Sequence, residues 1–131
     1  MNNNMQEKEK NKKRWIMAVS GCILLIFLIV LGSVIYRSRY RRTIIDTYNK
    51  DQYTLTIYHI GEPDFPFGKS DCQLILTEGG RQLDKQDIEL YNDGKYPDKE
   101  NFTVKWQADG VRVIVHGEEQ DDVACELNYS K

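Results

Sequence analysis

The chain has 131 residues and a formal net charge of −2, with Lys and Arg together numbering 18 and Asp and Glu 20. That length holds one modest domain, and a membrane segment would take about a sixth of it. The near-neutral total hides an asymmetry: residues 1–42 carry +7, whereas residues 43–131 carry −9. A domain that acidic repels phosphate backbones, so no nucleic-acid partner is expected for the C-terminal part. The basic residues instead flank an apolar run, where they can face lipid head groups. The pattern describes an anchor followed by a soluble acidic domain.

Residues 1–14 form a basic N-terminus that is expected to be cytoplasmic. From Trp15 to Tyr36 no residue is charged. A helix of that stretch is about 33 Å long, enough for a hydrocarbon core of about 30 Å. Trp15 and Tyr36 stand at its ends, where amphipathic rings favour the interface. Val19-Ser20-Gly21-Cys22 has the look of a lipoprotein cleavage box. However, only Trp15 to Val19 separate it from Arg14, shorter than the roughly 7–15 apolar residues such a signal needs. Cleavage would also leave Ile23 to Leu31 as an oily tether, so the span is expected to be kept. Lys and Arg near the two ends are almost balanced. A first apolar segment behaves as a signal anchor, and long following domains translocate with little regard to charge. The expectation is therefore a single-pass cell-membrane protein, with the lipid bilayer as one partner and the C-terminal domain outside the cytoplasm.

Residues 37–52 read as a helical juxtamembrane stalk, since Tyr40, Ile44, Ile45 and Tyr48 recur at helix-like spacings. From residue 53 the period becomes two. Tyr53–Ile60 alternates Thr with larger groups, and Asp71–Glu78 puts Cys72, Leu74 and Leu76 on one face. Gly79-Gly80 marks a turn into a weaker strand or strand pair over 81–91. Phe102, Val104 and Trp106, then Asp109-Gly110, then Val111, Val113 and Val115, form the clearest unit, a hairpin with a type I′ turn. Val123, Cys125, Leu127 and Tyr129 give a last strand. The fold class is thus one N-terminal transmembrane helix plus a small all-β domain over 53–131, an antiparallel sandwich or open barrel of about six strands.

With about eighty residues that domain is near the lower limit for a core alone. Cys72 and Cys125 both fall on apolar strand faces, so two alternatives stay open: a disulfide, suited to an oxidising compartment, or two buried free thiols. No catalytic frame surrounds His59 or His116, no zinc-ligand spacing links the Cys and His residues, and no cofactor motif is present. Glu118, Glu119, Asp121 and Asp122 cluster in a loop and read as a solvated turn or a weak cation site. The loop from Ile60 to Asp71 is the most unusual, with Phe65 and Phe67 stiffened by Pro63, Pro66 and Gly68. Exposed, those rings with Glu62 and Asp64 would make a partner-binding tip; buried, they would plug one end of the sheet.

The segments IGEPDFPFG (60–68) and VHGEEQDDV (115–123), placed around a Trp-containing hairpin, resemble those of small uncharacterised Gram-positive bacterial proteins that are membrane-anchored or lipoprotein-like. The likeness covers roughly residues 53–128. It implies a bacterial surface-facing domain and transfers no activity or functional residue. The function expected is a membrane-anchored binding or interaction domain rather than an enzyme. The alternatives are a small enzyme using His59 or His116, or a cytoplasm-facing docking domain.

Overall fold

A computed structural model of the chain describes residues 2–64 and 66–130, with side chains from residue 5 onward. It divides into two compact units, residues 1–36 and 37–131. The first is built on one long helix, α1 (Asn2–Arg39). Within it, Met5–Arg39 is long and apolar enough to cross a membrane, with a mean hydropathy of 2.8 over its best window and none of that window buried by protein. Its side chains, among them Leu24, Leu25, Ile26 and Phe27, are exposed.

The second unit is all β. Its strands are β1 (Arg42–Lys50), β2 (Tyr53–Ile60), β3 (Lys69–Glu78), β4 (Arg81–Tyr91), β5 (Phe102–Trp106), β6 (Gly110–Val115) and β7 (Val123–Asn128). Two antiparallel sheets result, one ordered β1-β2-β3-β4 and the other β5-β6-β7. Leu55, Ile57, Leu74, Leu76 and Leu90 of the first sheet share one core with Val111, Val113, Val115 and Leu127 of the second. Alternation explains this: each core residue is two positions from the next along its strand, and the intervening positions face outward. Of the two forms expected, sandwich or open barrel, the described residues build a two-sheet sandwich, with seven strands where about six were expected.

The additional strand corrects the stalk. Residues 42–50 are not helical but pair along their whole length with β2, Arg42 opposite Ile60 and Lys50 opposite Tyr53. The register shifts between Ile44 and Asp46, so Ile45 is the extra residue of a β-bulge. A bulge breaks the two-residue period, which is why Ile44, Ile45 and Tyr48 imitate helical spacing. The β-domain therefore begins before residue 53, and Asp51-Gln52 is a hairpin loop, with Asp51 at φ 55°.

The expected I′ turn at Asp109-Gly110 is not formed: neither residue has positive φ, Gly110 opens β6, and Gln107 N–H donates to the Gly110 carbonyl at 2.9 Å around Ala108-Asp109. The Gly79-Gly80 turn does set register. Gly79 and Gly80 both have positive φ, 54° and 85°, as a two-residue hairpin of the I′ kind needs. Residues 81–91 then form one long strand paired with β3. The sandwich is closed along β4 and β7, where Gln86 Nε2 donates to the Glu126 carbonyl at 2.7 Å and the Asn128 N–H donates to Asp84 Oδ2 at 3.0 Å. On the opposite side β1 and β5 are sheet edges, flanked by the half-buried Ile45, Tyr48, Val104 and Trp106.

Cys72 and Cys125 contribute to the shared core as free, buried thiols. Of the two alternatives open in the sequence, the structure has the second. Burial pushes the Cys72 thiol up to about 12, with the Asp71 charge adding to the effect. The Cys125 thiol is raised by burial as well.

Candidate functional site

Antiparallel pairing brings the ends of all seven strands to two rims. One rim carries the tight turns. The other carries the loops 61–68, 92–101 and 116–122, together with the start of β1, where the chain comes in from α1. The loops 92–101 and 116–122 are tied to each other, His116 N–H donating to the Asn101 carbonyl and Asn101 Nδ2 to the His116 carbonyl, each at 2.8 Å. Tyr91 N–H donates to Gln120 Oε1 at 2.7 Å and Glu119 N–H to the Tyr91 carbonyl at 3.2 Å, joining the two sheets at this rim.

The loop 61–68 is held at both ends. Gly61 N–H donates to the Arg41 carbonyl at 2.8 Å and Glu62 N–H to the Ser38 carbonyl at 3.0 Å. Asp64 N–H donates to the Lys69 carbonyl at 2.9 Å, and Gly68 N–H closes a turn on the Asp64 carbonyl at 2.7 Å. Gly94 packs against its back: a Cβ there would come within 2.6 Å of the Pro66 carbonyl oxygen, and φ is 68°. With the backbone fixed, Phe67 points out and is 70% exposed. Glu62 and Asp64 are exposed beside it. Of the four residues expected to make contact, these three are exposed; Phe65 lies outside the described residues. Phe67 does not plug the sheet.

The acidic loop 116–122 is differently used from a cation site. Glu118 takes Lys95 Nζ on both carboxylate oxygens, at 2.8 and 2.7 Å, and Asp122 takes His116. Among the described residues no group of three His, Cys, Asp or Glu side chains is placed to hold a metal ion. Both contacts are solvent-exposed, where water and salt screen them.

His116 is less isolated than its sequence suggests. Its Nδ1 lies 2.8 Å from Asp122 Oδ1, and its Nε2 lies 2.8 Å from Thr103 Oγ1. A carboxylate, an imidazole and a hydroxyl in that order are the elements of an activated nucleophile. The link was hidden because Thr103 is on β5 and His116 follows β6. The hairpin register, Phe102 opposite Val115, brings them side by side. Beside the imidazole is a polar hollow of about 320 Å³, lined by Asn92, Lys95, Asn101 and Glu118 among others. Thr103 does not line it, and all three members of the chain are solvent-accessible.

His59 is the opposite case. It is 4% exposed at the end of β2, with Cys72 opposite on β3 and Thr43 on β1. Burial lowers its pKa, against the opposing influence of Asp71 and Glu62, so the ring is neutral near pH 7. The Tyr96 ring meets it edge-on, centroids 5.4 Å apart and planes at 88°.

An apolar helix of membrane-spanning length followed by a two-sheet β-sandwich is the class that these elements define. No family model, no curated protein and no solved structure matches the chain.

Proposed function

We propose that the chain is a single-pass membrane protein of the bacterial cell surface, whose β-sandwich stands outside the cytoplasm and binds a protein partner through the Glu62–Gly68 loop. The observation that carries this reading is Phe67: a large ring held in solvent on a backbone pinned at both ends. A pre-ordered aromatic loses little freedom on binding, which is why such residues dominate interface energetics. Glu62 and Asp64 beside it favour a partner with basic groups at the rim of the contact. The loop shares its rim with the incoming chain, so the helix would hold it at a high local concentration for partners in or near the same bilayer. A photoreactive residue substituted at Phe67 of the full chain should give one discrete cross-linked species in intact cells. The same residue at Lys105, on the β5 edge, should not. Equal or absent cross-linking at both positions would refute the contact site.

A second reading, a small hydrolase, has one observation in its favour, the Thr103–His116–Asp122 chain. It predicts turnover of a fluorogenic ester that His116→Ala abolishes. The exposure of all three groups argues against it, because water competes for every bond in the chain.

A further inference from the structure

A second hollow, of about 460 Å³, opens between the bulged stretch of β1 and the segment leading into β5. Its floor includes His59, and Asp46, Tyr96, Pro97 and Asp98 are among its walls. Its chemistry is uneven. Two carboxylates face one cation, Lys99. Ile45 and Pro97 supply apolar surface, and the Tyr96 ring, 61% exposed, stands beside the mouth. The carboxylates retain accepting capacity: Asp46 takes the Thr47 N–H at 2.8 Å and the Tyr48 hydroxyl, and Asp98 takes the Glu100 N–H at 2.8 Å and the Asn101 N–H, two of about four lone-pair sites per group.

The decisive feature is at the floor. His59 Nε2 is buried and has no hydrogen-bond partner among the described residues. A buried polar atom left in that state forfeits its hydration, and the edge-on Tyr96 ring offsets only part of that loss. Asp71 and Glu62 also act on this imidazole, so the surroundings of the ring are acidic. A neutral imidazole offers one nitrogen as an acceptor.

We infer that this hollow binds an organic cation, an ammonium group on a short apolar stem. The ammonium donates to His59 Nε2 and to Asp46, Asp98 adds negative charge at the wall, and the stem lies on Ile45, Pro97 and the face of Tyr96. A cation over an aromatic face gains further attraction. A metal ion is a poor alternative, since no set of ligating side chains among the described residues is grouped to hold one. Reaching Nε2 needs the Tyr96 ring to turn aside, a side-chain rotation that exposed residues make readily. The same chemistry is offered by a free alkylamine and by a lysine side chain of a polypeptide.

The test uses the full chain in non-ionic detergent micelles, with the His59 and Tyr96 ring signals followed by NMR at fixed pH and salt. n-Butylamine and Nα-acetyl-lysine amide are the probes, and n-butanol is the neutral control. Saturable shifts of both rings with an amine are expected, with butanol at least about tenfold weaker. Asp46→Asn should weaken the amine about tenfold, as losing a charged hydrogen-bond partner does. Tyr96→Ala, at an exposed position that leaves the core intact, should weaken it severalfold. Tighter binding of the lysine amide assigns the guest to a polypeptide side chain, and tighter binding of butylamine to a free amine. Absence of saturation to about 20 mM, equal binding of butanol, or undiminished binding in both variants would overturn the inference.

Discussion

Asp84 Oδ2 accepts the backbone N–H of Asn128 at 3.0 Å, from a side chain that is only 4% exposed. Its Oδ1 takes the Lys85 N–H at 2.8 Å. One carboxylate thus ties the end of β7 to β4, along the side where the two sheets are joined. Asp84→Ala strips an acceptor from both amides and leaves a gap in the seam. Chemical denaturation of the full chain should show a loss of about 2–3 kcal/mol, the range for buried bonds to a charged group. A loss below about 0.5 kcal/mol would place Asp84 among ordinary surface positions.

Phe67 and Leu74 are both large and apolar, but they differ in burial, 70% and 0% exposed respectively. Phe67→Ala should leave stability within about 0.5 kcal/mol of the parent. Leu74→Ala should cost about 2–5 kcal/mol, because it removes buried contacts and opens a cavity. Thermal or chemical unfolding of the two variants separates them. A large loss for Phe67→Ala would mean that the ring belongs to the fold and not to a contact surface.

The Cys72 thiol should be unreactive in the folded chain, since thiolate is the reacting form and burial pushes its pKa up to about 12. Alkylation at pH 8 should label Cys72 and Cys125 only after denaturation. The same shift predicts a pH dependence. A raised thiol pKa favours the neutral folded form, so its contribution is complete below the unfolded value of about 9 and is lost as pH rises towards 12. Over that window it reduces stability by up to about 1.4 kcal/mol per pH unit. The Cys72→Ala variant should show a flatter alkaline limb than the parent. Rapid native labelling would contradict the packing described.

For His59 the sign is opposite. Burial lowers its pKa below the ordinary value of 6.5, so above that pH folded and unfolded states are both neutral and nothing is lost. As pH falls through 6.5 the unfolded chain takes up a proton that the folded one refuses, and stability declines until the folded ring protonates too. His59→Asn should flatten this part of the acid limb in denaturation curves measured between about pH 7 and 5. A limb of unchanged slope would show that the ring is not shielded.

Much of this was legible in the residues, and the exceptions have physical causes. Tyr53–Ile60 and Phe102–Trp106 could be bounded from alternation alone, because each buries one face against a core and wets the other. The Gly79-Gly80 turn announced itself through backbone freedom. Asp109-Gly110 was misleading, because Gly110 is needed for space and not for a positive φ: a Cβ there would collide with the Leu127 carbonyl oxygen. β1 did not, because a single bulge at Ile45 moved its apolar residues out of phase. Phe67 could be read as tip or plug, and only the three-dimensional support from Gly94 and Lys69 decides it. The Thr103–His116 pair was implicit in the hairpin register but invisible to a search for motifs along the chain. Nothing in the local sequence reveals that His59 Nε2 is left without a partner, since that depends on which loop covers it.

The account depends most on an intact helix α1 that stays in the bilayer and carries the sandwich out of the cytoplasm. Alkaline phosphatase, active only after export, can be fused at Lys131 and assayed in membranes washed with alkaline carbonate. The account predicts activity in the washed pellet, on a fusion whose mass includes residues 1–36. Activity released to the supernatant, a fusion beginning at Cys22, or an inactive fusion in the pellet would each contradict it.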